Sequence, residues 1–140
     1  MRVSMGADAL RDGRGRDVRE LKRSECAILP LVLKRRWYDM IKRGEKREEY
    51  RDYTTYWQHR IANWCNNQKP DWDSIETCKW LVIGFSLGYR KSDLFFLLHS
   101  RDVRDFSENP DWGEPDGRHY VLTLGDRVTF TEDEKEGGGK

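Results

Sequence analysis

The spacing of apolar and polar positions changes several times along the chain, and each change marks an element. Ala27 to Val32 is a short apolar run. Pro30 inside it has no N–H for a ladder, which argues for a strand end or a sheet edge. Leu33, Trp37, Met40 and Ile41 then fall at i, i+4, i+7 and i+8, one face of a helix over about Lys34 to Arg43. Lys34, Arg35, Arg36, Lys42 and Arg43 lie off that face. Gly44 ends the helix: the last-turn cations suit the negative end of its dipole, and glycine adopts the left-handed conformation of a helix stop.

Arg47 to Tyr53 alternates polar residues with Tyr50 and Tyr53, the pattern of a half-buried strand lining something polar. A second helix is expected over Thr55 to Cys65, with Tyr53 or Trp57, then Ile61 and Trp64, as its apolar stripe. Thr54 or Thr55 caps it, and Asn66, Asn67 and Pro70 close it. The remainder reads as strands at Lys79 to Ser86, Asp93 to Ser100, His119 to Leu124 and Arg127 to Thr131. Turns at Asn109-Pro110, Glu114-Pro115 and Asp116-Gly117 divide the later ones. Two helices among several strands favour an α+β domain whose later strands curl into a mixed β-barrel.

Residues 1–25 hold Asp-Gly-Arg-Gly-Arg at Asp12 to Arg16 and little that can pack, so they read as a flexible basic arm. Their one helical possibility is Asp17 to Lys22. Residues 132–140 read as a disordered acidic and glycine-rich tail. One domain is left, over residues 26–131.

Composition changes this picture in two respects. Six Trp, six Tyr and five Phe are too many for a disordered chain, so the core leans on aromatics. Net charge is +1, yet residues 1–51 carry 15 Lys/Arg against 9 Asp/Glu, and residues 52–140 carry 11 against 16. A basic half is the footprint of a polyanion binder, and equally of a salt-laced surface. Cys26, Cys65 and Cys78 are odd in number and far apart, which supports neither a disulfide framework nor a zinc knuckle. His59, His99 and His119 lack metal-ligand spacing. No metal or cofactor is expected. No apolar run approaches the length of a membrane span, the longest being of the order of Leu94 to Leu98, and a cytoplasmic protein without a membrane partner is expected.

The most informative stretch is Gly44-Glu45-Lys46-Arg47-Glu48-Glu49-Tyr50-Arg51, with the spacing G-x-K-x-x-E-x-R directly after an amphipathic helix. It resembles the signature of the ASCH family. The likeness extends to the apolar strand before it, to Trp37-Tyr38-Asp39-Met40-Ile41, to Tyr56-Trp57 with Arg60, to Gly84 through Tyr89, and to Asp111-Trp112-Gly113 through Gly125. It covers about Ala27 to Phe130. The resemblance implies a PUA-like β-barrel with flanking helices beside a cleft, and RNA or a modified nucleoside or nucleotide as partner.

On that footing Gly44 reverses the chain and brings Lys46 to the barrel mouth, while Glu49 and Arg51 share one strand face. Arg51 offers a planar fork of donors to phosphate or a carbonyl edge, and Lys46 a mobile point charge. Glu49 orients either cation or accepts a base N–H. The same three residues equally make a structural ion-pair network closing the barrel. The expected nucleic-acid-binding set is Arg35, Arg36, Lys46, Glu49, Arg51, Arg60, Tyr89 and Trp112. Tyr89 and Trp112 enter as exposed aromatics in glycine-containing loops, whereas Trp57, Trp64, Trp72 and Trp80 read as core.

A second expectation is a hydrolase, because some ASCH proteins resemble amidohydrolases of acylated nucleosides and others are linked to RNA cleavage. Lys46 would then be the general base, with Glu49 beside it. Arg47 and Arg51 would depress the lysine pKa while Glu49 raised it. In the amidohydrolase branch a hydroxyl residue occupies the position of Glu49, a departure in this chain. A third expectation is a protein-contact accessory domain using the charged helix Lys34 to Arg43.

Overall fold

The computed structural model describes residues 10–11, 17–66 and 80–131. The tail expected over 132–140, most of the segment before 17, and Asn67, Pro70, Trp72 and Cys78 lie outside the described residues. In chain order the elements are β1 (Leu10–Arg11), β2 (Asp17–Leu21), a 3-10 turn (Arg23–Glu25), β3 (Cys26–Leu33), α1 (Arg35–Arg43), β4 (Glu48–Asp52), α2 (Thr55–Asn66), β5 (Trp80–Leu87), β6 (Leu94–Arg104), a second 3-10 turn (Pro110–Trp112) and β7 (His119–Phe130).

The strands make one mixed sheet in the order β1-β2-β7-β6-β5-β3, and β4 also pairs with β7. β7 is long enough to serve three partners: β6 pairs antiparallel with it, its first half also pairs antiparallel with β4, and Arg127 to Phe130 pair parallel with β2. The two strands expected at His119 to Leu124 and Arg127 to Thr131 would leave a break at Gly125. β7 is instead continuous, because register shifts between Phe96 and Ser100 of β6 absorb the irregularity that glycine signals.

Period-two alternation sorts β5 and β6 onto two faces. Ile83, Phe85, Leu94 and Phe96 join Ile41 of α1 and Ile61 and Trp64 of α2 in the main core. Val82 and Phe95 join Leu21, Cys26 and Val128 on the opposite face. That second cluster corrects the expectation of a flexible arm where it falls on residues 17–25. β2 pairs alongside β7 and adds Leu21 to the cluster, where it is buried with Val82, Phe95 and Val128. The Arg23 guanidinium lies over the rings of Phe130, at 4.3 Å, and Phe95, at 5.3 Å. Asp17 to Leu21, where a helix was the one regular possibility, is thus a strand, and the sheet begins before residue 26.

The described strands form an open sheet with two helices, an α+β fold compatible with a barrel-like arrangement. β3 stands at the end of the strand order, the edge position that Pro30 foreshadows. Side chains cover this edge. Trp64 Nε1 donates to the Ala27 carbonyl at 2.7 Å, Arg60 Nη2 to Pro30 at 3.4 Å and Arg51 Nη2 to Val32 at 3.3 Å. The last of these carries a donor from β4 to the far edge of the sheet.

Candidate functional site

The end of α1 aims the chain at the site. Gly44 has φ 87°, and the N–H groups of Gly44, Glu45 and Lys46 return to the carbonyls of Ile41 or Met40 at 2.9–3.1 Å. This C-terminal cap turns Lys46 inward immediately before β4 begins. Its ammonium, on a residue only 2 % exposed, donates to the carbonyls of Glu48 at 2.6 Å and Trp112 at 2.9 Å, and stands 3.3 Å from Glu49 Oε1. The Tyr50 ring centroid is 4.4 Å away. Burial pushes the Lys46 pKa down, and Glu49 opposes this from beside it.

Glu49 shares its other oxygen with Arg51, at 2.8 Å from Nη2. Arg51 differs from its neighbours: 21 % of its side chain is exposed, and its guanidinium lies 5.2 Å from the Trp57 ring. Its Nε is buried and has no hydrogen-bond partner among the described residues. A cleft of about 270 Å³ opens here, lined by Lys34, Trp37, Lys46, Glu49, Arg51 and Trp112, among others. This lies near the lower bound of roughly 300 Å³ for small-molecule sites, so its contents are small.

Gly113 fixes one wall. Its φ is 83°, and a Cβ there would come within 2.7 Å of the Trp37 indole, so only glycine lets the Pro110–Trp112 turn lie against that ring. Arg36 lies over the same indole at 4.6 Å.

The expected site residues therefore divide. Lys46, Glu49, Arg51 and Trp112 come together at the cleft. Arg60 stands one ring away, 5.1 Å from Trp57, and Arg36 reaches the wall through Trp37. Arg35 is exposed on the first turn of α1 and does not line the cleft. Tyr89 is wholly exposed, at 104 %, in the turn between β5 and β6, and is not among the lining residues either. Trp37, assigned to the helix's apolar stripe, is a cleft wall. Its neighbour Gly113 was the available signal.

A second cluster escaped sequence reading. Glu48 receives two parallel bonds from Arg104, both 2.9 Å, together with the Tyr50 hydroxyl at 2.9 Å and Asn109 Nδ2 at 3.2 Å. Arg104 continues to Glu114 Oε2 at 2.8 Å, which also meets His119 Nε2 at 2.6 Å. The other Glu114 oxygen accepts the N–H groups of Glu108 and Asn109, both at 2.8 Å. The Glu114 and His119 side chains are fully buried. Burial alone would raise the Glu114 pKa, but bonds from His119, Arg104 and the two backbone N–H groups outweigh it and hold the pKa down at about 2. Burial and the Glu48 carboxylate push the Tyr50 pKa up.

No group of His, Cys, Asp or Glu that could hold a metal is found among the described residues, and no described helix is long and apolar enough to cross a membrane. No protein-family model, curated protein or solved structure matches the chain.

Proposed function

We propose that the chain is an ASCH-type domain with a PUA-like barrel, and that the cleft at Arg51 binds RNA through one base or modified nucleotide at a time. The observation that carries this reading is the guanidinium of Arg51 at the cleft, tied to Glu49 and still 21 % exposed. The surroundings suit such a ligand. Lys34 and Arg51 supply positive charge, Trp37 and Trp112 supply aromatic walls, and the volume fits a small planar group.

The hydrolase reading draws on the lowered pKa of Lys46, the direction a general base requires. Against it, the ammonium already faces three acceptors, Glu48 O, Trp112 O and Glu49 Oε1, which match its three protons. A lysine so held orders the cleft, and binding is the reading favoured.

Calorimetric titration with ribonucleoside monophosphates and short single-stranded RNA tests the proposal. Binding is expected to weaken clearly from low to moderate salt, to fall about tenfold or more in Arg51→Ala, and to fall less in the double variant Arg35→Ala with Arg36→Ala. Affinity indifferent both to salt and to Arg51→Ala would overturn it.

A further inference from the structure

Beside the cleft lies a second groove, of about 370 Å³, between α2 and the sheet. Tyr53, Gln58, Ile61, Arg101, Val103 and Tyr120 are among the residues that line it. Its contents are those of a stacking platform. The Tyr53 and Tyr120 rings lie 5.1 Å apart with 39° between their planes, Tyr53 is 40 % exposed, and the Arg118 guanidinium stands 5.6 Å from the Tyr53 ring. Arg118 is itself paired with Asp105 at 2.6 Å, so the cation of the lining is exposed Arg101, next to Asp102, with its Nη1 3.2 Å from Cys65 Sγ.

The register ties this groove to the cleft. Arg51 of β4 pairs with Tyr120 of β7, which pairs with Val103 of β6; Glu49 pairs with Leu122, which pairs with Arg101. Directly paired residues project to the same face, so the face that presents Glu49 and Arg51 continues across β7 into the groove. Tyr53 follows Arg51 by two residues, a step of roughly 7 Å along an extended chain. Stacked nucleotides advance only about 3.4 Å along a strand, so a chain running from cleft to groove would have its bases splayed apart, the form in which single-stranded RNA is read.

We infer that this groove is a second nucleotide subsite, in which a base adjacent to the one in the cleft stacks on Tyr53 and Tyr120 while Arg101 faces its phosphate. The inference rests on the reading of the cleft as a nucleotide site, and it makes the ligand a single-stranded oligonucleotide rather than a free nucleotide. A protein segment or a second copy of the chain are the other occupants that an aromatic groove admits.

The test compares uridine 5′-monophosphate with the trinucleotide UpUpU, and the adenine pair alongside them, on the full chain and on Tyr53→Ala and Tyr53→Phe. Tyr53 is exposed, and equal melting temperatures establish that the variants fold. The trinucleotide of at least one base is expected to bind more tightly than its monophosphate by about tenfold or more, since each stacked base contributes on that scale. Tyr53→Ala should remove that excess and leave monophosphate affinity intact, while Tyr53→Phe, which keeps the ring, should retain it. Monophosphates that bind as well as trinucleotides, or a Tyr53→Ala loss shared equally by both, would overturn the groove and leave the cleft standing. Concentration-dependent self-association abolished by Tyr53→Ala, without a trinucleotide excess, would assign the groove to a second copy and overturn the inference. Binding of neither ligand would overturn the reading of the cleft, and the groove with it.

Discussion

Two neighbouring glutamates on one short strand serve two differently finished networks. Glu48 enters a closed one, in which Arg104, Tyr50, Asn109, Glu114 and His119 satisfy one another beside the turn that carries Trp112. Glu49 enters an open one: Lys46 is saturated on its inner side, but Arg51 on its outer side retains exposure and an unpartnered donor. The difference separates scaffold from site. A buried polar cluster whose members bond one another has little left to offer a ligand, while one that ends in a part-exposed guanidinium at a cleft can still receive an acceptor. The two also depend on each other, since Lys46 spans them by donating to both the Glu48 and the Trp112 carbonyls.

The closed network should yield the largest effect on stability. Glu114→Ala leaves His119 Nε2 and two backbone N–H groups without their buried acceptor, while Arg104 keeps Glu48, and a loss of roughly 3 kcal/mol is expected in chemical denaturation. A loss under about 1 kcal/mol would break the comparison. Acid sharpens it. The Glu114 carboxyl is held at about 2 when folded against an ordinary value of 4.5. Its contribution is therefore complete above pH 4.5, declines as the pH falls through that window, and is gone below about 2. At 1.36 kcal/mol per unit this amounts to about 3 kcal/mol. In Glu114→Gln that share of the acid dependence should disappear from the stability–pH profile.

What the sequence made legible follows the same division. The Gly44 stop, the Lys46–Glu49–Arg51 spacing and both helices are local patterns, and the structure brings those residues to one cleft. Glu48, Arg104, Glu114 and His119 come from β4, the end of β6, a loop and β7, so no spacing announces them. β2 was missed for a related reason. Asp-Val-Arg-Glu-Leu has only two apolar residues, and the strand appears only when β7 offers a partner and Leu21 joins the Phe95 cluster. Tertiary pairing decided against local propensity there.

Lys46→Ala should rank second. It removes a buried cation from two carbonyls and from Glu49, which keeps Arg51, so a loss of about 3 kcal/mol is expected, together with loosening of the Trp112 wall and weaker ligand binding. Lys46→Arg tests the chemistry separately. Arginine keeps the charge but does not transfer a proton near neutral pH. Retained binding is expected, whereas retained binding with abolished turnover of an N4-acylated cytidine would make Lys46 a general base and sink the assignment of a purely ordering role.

Arg51→Ala should have the smallest effect on stability and the largest on function, and that opposition is the sharpest form of the comparison. Removing Arg51 leaves Glu49 with Lys46 at 3.3 Å, so no buried charge is left alone. What is lost is a part-exposed pair, a 3.3 Å bond to Val32 O and contact with Trp57; what is gained is removal of an unsatisfied buried Nε. Such pairs contribute up to about 1 kcal/mol, and a buried unsatisfied donor costs about 1 to 3 kcal/mol, so the terms nearly offset. A melting temperature within a few degrees of the parent chain is expected, with ligand binding reduced as above. Suppose instead that Arg51→Ala unfolds the domain as readily as Glu114→Ala. Then the link from β4 to the Val32 carbonyl is a structural clasp, the open network belongs to the scaffold too, and the cleft loses its claim to be a binding site.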